Sequence, residues 1–249
     1  MNAILFHIPH ASTVIPERYL PDFLPCLEKN ILRMTDWYTD ALFDFDLGDR
    51  LVFPVSRLVC DPERFRDDDE EEMAEIGMGA VYRRGYDLSL LRCALTAERQ
   101  EEILRTYYDP HHRELKRMTE ERLARFGRCL IIDCHSFHPT PLPYEKDALR
   151  PDICIGTDDF HTPEWRSESL AESFRRMGYT VSMNRPFAGT MVPLSYYGKD
   201  PRVLSVMIEV NRGLYMTERG EKIDTFAQMK RDIGKAIRSA VFASETILQ

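Results

Sequence analysis

The stretch Leu130–Ile131–Ile132–Asp133–Cys134–His135–Ser136–Phe137 constrains this chain more than any other. Three consecutive apolar side chains, the pattern of a strand buried on both faces, run straight into an acid, a thiol, an imidazole and a hydroxyl. A strand covered on both faces belongs to an α/β sheet, and ligands of open α/β sheets bind at the carboxyl ends of the strands. The sequence therefore points His135 into a site just past a strand end. A metal wants neutral imidazole held by a carboxylate, and Asp133 stands near enough to supply one.

The totals narrow the class. A chain of 249 residues suits one large α/β domain, taken here as 1–249, and 43% hydrophobic residues suffice for a sizeable core. The formal charge of −8 argues against nucleic acid as a partner. No run reaches about 18 apolar residues, so a membrane span is not expected. Met1–Phe6 has neither the basic start nor the apolar length of a signal peptide. Six cysteines, at 26, 60, 93, 129, 134 and 154, are scattered without a CxxC pair. That pattern suits reduced thiols, and the chain reads as soluble and cytoplasmic. Oligomeric state is not legible.

Along the chain, other strand ends carry similar chemistry. Ala3–Phe6 is a short apolar strand ending in His7–Ile8–Pro9–His10, and His10, after a proline that fixes the backbone, is the better ligand candidate. Glu28 to Phe45 follows a helical period with Asp36 and Asp40 one turn apart. Asp36 stands amid Met34, Trp37 and Tyr38 instead of in a charged run. Leu51–Val55 and Leu58–Cys60 read as strands, with Arg57 and Arg64 at the edges of apolar segments, where a guanidinium either pairs with an acid or clamps a carboxylate. Asp67–Glu72 is a solvated acidic run with no catalytic role.

Ala97–Phe126 reads as two helices, with Pro110 in the first turn of the second, which leaves His111 and His112 near a helix N-terminus as neutral donors or surface residues, the latter favoured. Asp152–Gly156 is a strand, and Thr162 caps a helix that Gly178 ends. Tyr179–Met183 delivers Asn184 into a Gly/Pro loop suited to cradling a ligand. Val203–Val210 is the longest strand and carries Glu209 near its carboxyl end. A carboxylate in an apolar strand is costly to bury, which makes Glu209 the best general-base candidate. Asp224–Leu248 closes the chain as an amphipathic helix.

Strands alternating with helices predict an α/β fold with a mixed, largely parallel sheet. His10, Arg57, His135, Asn184 and Glu209 all fall at strand ends. Two histidines and a carboxylate converging on one edge suit a catalytic zinc with an open position. A separate glutamate would deprotonate water there, and an arginine would stabilise the oxyanion.

The order and spacing of several segments resemble the N-formylglutamate amidohydrolase family from about Phe6 to Tyr215. The segments are His7–Ser12, Asp36–Asp40 with Leu42–Phe43, Ser56–Arg57 with Asp61–Phe65, Asp133–Ser136, Asp152–Gly156, Asn184 with Pro186–Phe187 and Gly189, and Ile208–Arg212 with Tyr215. The resemblance implies a single three-layer α/β/α domain, phosphorylase/hydrolase-like and distantly related to zinc carboxypeptidases and aspartoacylase. It implies hydrolysis of an N-formyl or other N-acyl group from an acidic amino acid, in the type case N-formylglutamate within histidine breakdown. By the same resemblance one zinc ion, or another divalent metal, is held by His10, His135 and Asp36, with Asp61 the competing third ligand. Glu209 is the general base and Arg57 polarises the carbonyl. Arg64, Asn184 and Arg212 bind substrate. Glu63 occupies a position where the relatives often have Asn. A zinc deacylase or carboxypeptidase-like peptidase, and a non-catalytic binding protein on the same fold, remain the alternatives.

Overall fold

A computed structural model describes residues 3–242. The strands are β1 (Ile4–Ile8), β2 (Asp49–Val52), β3 (Cys129–Phe137), β4 (Ile153–Gly156), β5 (Val181–Met183) and β6 (Val203–Asn211). The helices are α1 (Leu27–Met34), α2 (Thr39–Leu42), α3 (Ala97–Ile103), α4 (Asp109–Phe126), α5 (Glu164–Arg176) and α6 (Phe226–Phe242). The strands form one sheet in the order β2-β1-β3-β6-β4-β5. Only the β4–β6 pair is antiparallel. The sheet is therefore mixed and largely parallel, as the sequence predicts.

Alternation along the strands builds three layers. Ile4, Phe6, Leu130, Ile132, Val206 and Ile208 face α5 and α6, where Leu170, Phe174, Ile233 and Ile237 complete the largest core. On the opposite face, Leu5, Ile131 and Val203 pack against Leu115 and Met118 of α4. That second face is uniformly apolar only at the amino ends of the strands; further on, Met207 and Phe137 share it with polar groups. Towards their carboxyl ends it carries His7, Asp133, His135 and Glu209. Register sets His7 beside Asp133 and His135 beside Glu209.

Several local expectations change. β3 runs from Cys129 through Phe137 and is buried along its whole length, so Asp133 to Ser136 lie inside the strand and His135 sits two residues before its end instead of past it. The parallel β6, equally long, supplies ladder partners that far. The expected helix from Glu28 to Phe45 breaks: Thr35 is extended and Tyr38 is left-handed at φ 65°. Asp36 sits in that break, its backbone N–H donating to His10 O at 3.0 Å, while Asp40 is exposed. Residues 53–60 make turns instead of strands, with Ser56 Oγ accepting from Leu58 N.

Pro110 falls in the first turn of α4, the second of the two expected helices, where no N–H is needed. One wide turn, Leu104–Tyr108, joins α3 to α4. The residue capping α5 is Pro163, and Thr162 instead donates to Ser205 O at 2.6 Å. The closing helix begins at Phe226, and its expected end at Leu248 lies outside the described residues. Among the described residues no helix is long and apolar enough to cross a membrane.

Candidate active site

His10 follows β1, Asp36 sits in the α1–α2 break, and His135 is on β3. Their ligand atoms converge within 4.8 Å of one another, and all three residues are buried. His135 Nδ1 is 3.1 Å from Asp36 Oδ2, and His10 Nδ1 is 3.7 Å from the same oxygen.

The outer nitrogens fix the tautomers. His10 Nε2 lies 2.8 Å from Asp61 Oδ1. His135 Nε2 lies 3.1 Å from Asp133 Oδ1 and 3.2 Å from Glu63 Oε1. A carboxylate only accepts, so each Nε2 carries a proton. Against burial, the acids around them raise both imidazoles, and a cation on the cluster would take the place of the Nδ1 protons and turn each Nδ1 lone pair inward. His10 Nδ1 is buried without a hydrogen-bond partner. Two imidazole lone pairs and a carboxylate oxygen then face one another, an arrangement that a cation satisfies. The residues present fit a divalent metal.

Asp61, the competing third ligand, has both oxygens engaged elsewhere. Oδ2 accepts from Arg57 Nη2 at 2.8 Å and from Tyr82 Oη at 2.6 Å. Burial would raise its carboxyl, but Arg57 and His10 outweigh that and hold it well below the usual carboxylate range. Asp36 is likewise held low, against burial, by His10 and His135. Glu209 behaves oppositely. Burial pushes its carboxyl up to about 8, and Oε2 has no hydrogen-bond partner. It is a base placed beside the cluster and poised near neutrality.

A cavity of about 480 Å³ opens on this cluster, and Arg33, Arg57, Arg64, Arg212, Tyr144 and Glu209 are among its walls. Arg57 Nη1 is 3.8 Å from Asp36 Oδ1. Arg212 spends Nη1 on Arg33 O at 2.9 Å, and its Nε is buried without a partner. Asn184 does not join them. It is exposed at φ 53°, and its amide is bonded to Thr157, accepting from the backbone N–H at 2.8 Å and donating to Oγ1 at 2.7 Å. Its neighbours Pro186, Phe187 and Ala188 reach the cavity instead.

The sequence reading missed a second line of imidazoles. His7 Nδ1 lies 2.8 Å from Asp133 Oδ1, and His7 Nε2 lies 2.9 Å from His111 Nε2. His111 is 5% exposed, and His112 donates from Nε2 to Pro62 O at 2.8 Å. Neither is a surface residue. The only signal in the sequence was the clustering of histidines at both places.

The comparisons with known proteins agree with this architecture. The curated N-formylglutamate deformylase of Pseudomonas aeruginosa is 26% identical over 96% of this chain and 89% of its own length. The crystal structure of N-formylglutamate amidohydrolase from Ralstonia eutropha matches the fold with a TM-score of 0.82 at 24% identity, covering 98% of this chain and 95% of that one. A gene product of Agrobacterium tumefaciens matches with a TM-score of 0.68 at 19% identity, over 96% of this chain and 91% of that one. The model of the N-formylglutamate amidohydrolase family matches residues 2–216. The chain belongs to the N-formylglutamate amidohydrolase family, hydrolases of amide bonds.

Proposed function

We propose that this chain removes the formyl group of N-formylglutamate by metal-dependent hydrolysis, yielding formate and glutamate. The substrate is read from the family and from the Pseudomonas relative. The observation that carries metal dependence is the buried, unpartnered His10 Nδ1 aimed at Asp36 and His135.

Zinc held by these three residues would polarise the acyl carbonyl and make a nearby water acidic. Glu209 Oε2, free of other partners, takes the proton of the attacking water. Its raised carboxyl then carries that proton to the departing amine nitrogen as the amide C–N bond breaks. Arg57, held charged by Asp61, faces the carbonyl oxygen as negative charge develops there. Arg64 and Arg212 meet the carboxylates of the substrate, each with a guanidinium Nε that makes no hydrogen bond in the protein. Asp61 and Asp133 hold the two imidazoles in orientation from behind.

The test is metal content by mass spectrometry together with formate release from N-formyl-L-glutamate, for the wild type and His135→Ala. The reading expects about one zinc per chain with formate release, both lost in the variant. A wild type that holds no metal after zinc is added back, or that releases no formate when loaded, overturns it.

A further inference from the structure

A second cavity, of about 380 Å³, adjoins the first. Glu63, Arg64, Ala188 and Met207 belong to the walls of both. Met207 lies two residues before Glu209 on β6 and opposite Asp133 in register. The second cavity therefore continues along the same sheet face from the reacting centre. Hydrolysis of a formyl group leaves this space unused, because formyl carries only hydrogen beyond its carbonyl.

Apart from Glu63 and Arg64, which it shares with the first cavity, the polar side chains around the second cavity are largely spent on the protein itself. Asp133 serves His7, His135 and the backbone N–H of Met191, the last at 2.8 Å. His112 donates to Pro62 O, Tyr108 Oη donates to Arg64 O at 2.8 Å, and Thr190 Oγ1 is 2.7 Å from Ser205 Oγ. What faces the empty space is largely apolar. Phe65, Leu194 and Tyr197 stand at the mouth, 46%, 61% and 51% exposed, and Val192 lies deeper, 5% exposed. Large apolar side chains left open beside a cavity mark a binding surface. The larger cavity is the reverse, since His10 Nδ1, Glu209 Oε2 and Arg212 Nε are unspent there. One cavity asks for charge, and the other asks for carbon.

We propose that the second cavity is an acyl subsite, so that N-acylglutamates with an apolar acyl group of about four to eight carbons are substrates as well as the formyl compound. At roughly 30 Å³ per heavy atom, the share of a liquid water, the space of about 380 Å³ holds about a dozen heavy atoms, so a chain of about four to eight carbons fits with room left for water. The inference rests on the proposed amide hydrolysis at His10, Asp36, His135 and Glu209. The acyl carbonyl stays at the metal cluster, the glutamate carboxylates stay with the arginines, and the acyl tail passes Ala188 and Met207 onto Val192, Phe65 and Leu194.

The experiment compares kcat/KM of the zinc-loaded protein for N-formyl-, N-acetyl- and N-hexanoyl-L-glutamate, and repeats it with Phe65→Ala/Leu194→Ala. Both substituted side chains are exposed, so folding is not at stake, and formyl turnover by the same variant serves as its control. The subsite expects hexanoyl to be cleaved at least as efficiently as formyl. It also expects the hexanoyl-to-formyl ratio to fall about tenfold or more in the double variant. Formyl cleaved well with hexanoyl about a hundredfold worse overturns the subsite and leaves the deformylase reading standing. Hexanoyl cleaved with an unchanged ratio in the variant also overturns it. Cleavage of no acylglutamate by metal-loaded protein overturns both readings together.

Discussion

Glu209 and His135 are register partners across the parallel β3–β6 ladder, side by side on one face of the sheet. The ladder itself thus holds the proposed general base beside a proposed metal ligand, and no flexible loop separates them. Glu209→Gln keeps the shape of the side chain and removes its basicity. Turnover is expected to fall about 10²- to 10⁴-fold with metal content unchanged. A variant that retained both metal and wild-type turnover would eliminate Glu209 as the base.

Asp61 and Asp36 approach the same imidazole from opposite nitrogens of His10, and that separates their roles. Asp36→Ala is expected to abolish stoichiometric metal binding. Asp61→Asn is expected to keep the site and weaken it about 10- to 100-fold, as loss of an orienting partner does. Chelator competition measures both. The reverse ranking would make Asp61 the ligand.

The outline of the fold was legible because the core face of each main strand is apolar at every second residue. Ile4, Phe6 and Ile8 show this on β1, Leu130 and Ile132 on β3, and Val206, Ile208 and Val210 on β6. The site was legible only in part. His10, His135 and Glu209 stand out because polar groups in apolar strands need a reason. The helix break at Asp36 could not be read. Its extended Thr35 and left-handed Tyr38 are held by partners remote in sequence, including Tyr215, whose hydroxyl donates to Trp37 O at 2.8 Å. His7 and Asp133 are 126 residues apart and meet only because β1 and β3 pair. Local periodicity carries no trace of such a contact.

Asn184 illustrates the converse error. A Gly/Pro loop beside a strand end reads the same whether its asparagine holds a ligand or holds the loop. Here it holds the loop, with positive φ and both amide groups on Thr157. Asn184→Ala is expected to leave KM for N-formylglutamate unchanged and to cost about 1–2 kcal/mol of stability, since alanine lacks asparagine's tolerance of the left-handed region. Asn184→Gly removes the strain and recovers part of that loss. A large rise in KM for the alanine variant would return Asn184 to the binding site.

His111 and His112 are expected to give the fold a dependence on pH that is separate from His10, Asp36 and His135. Burial depresses both imidazoles, and for His111 the neighbouring His7 and His112 add to it. The folded protein therefore takes up these protons only at lower pH than the unfolded chain, which does so near the ordinary value of about 6.5. Below that value the unfolded state binds more protons, so stability present above about pH 6.5 is lost as pH falls towards the depressed folded values. His112→Gln retains an N–H to donate to Pro62 O but cannot titrate. Between about pH 7 and about pH 5 the thermal midpoint of the wild type is expected to fall further than that of the variant, by about 2 °C or more. Replacing His112 also relieves part of the depression of His111, which makes the variant less acid-sensitive still and so acts in the same direction. Equal falls would show that His112 is charged in the folded state at about pH 5 and contributes nothing to acid sensitivity.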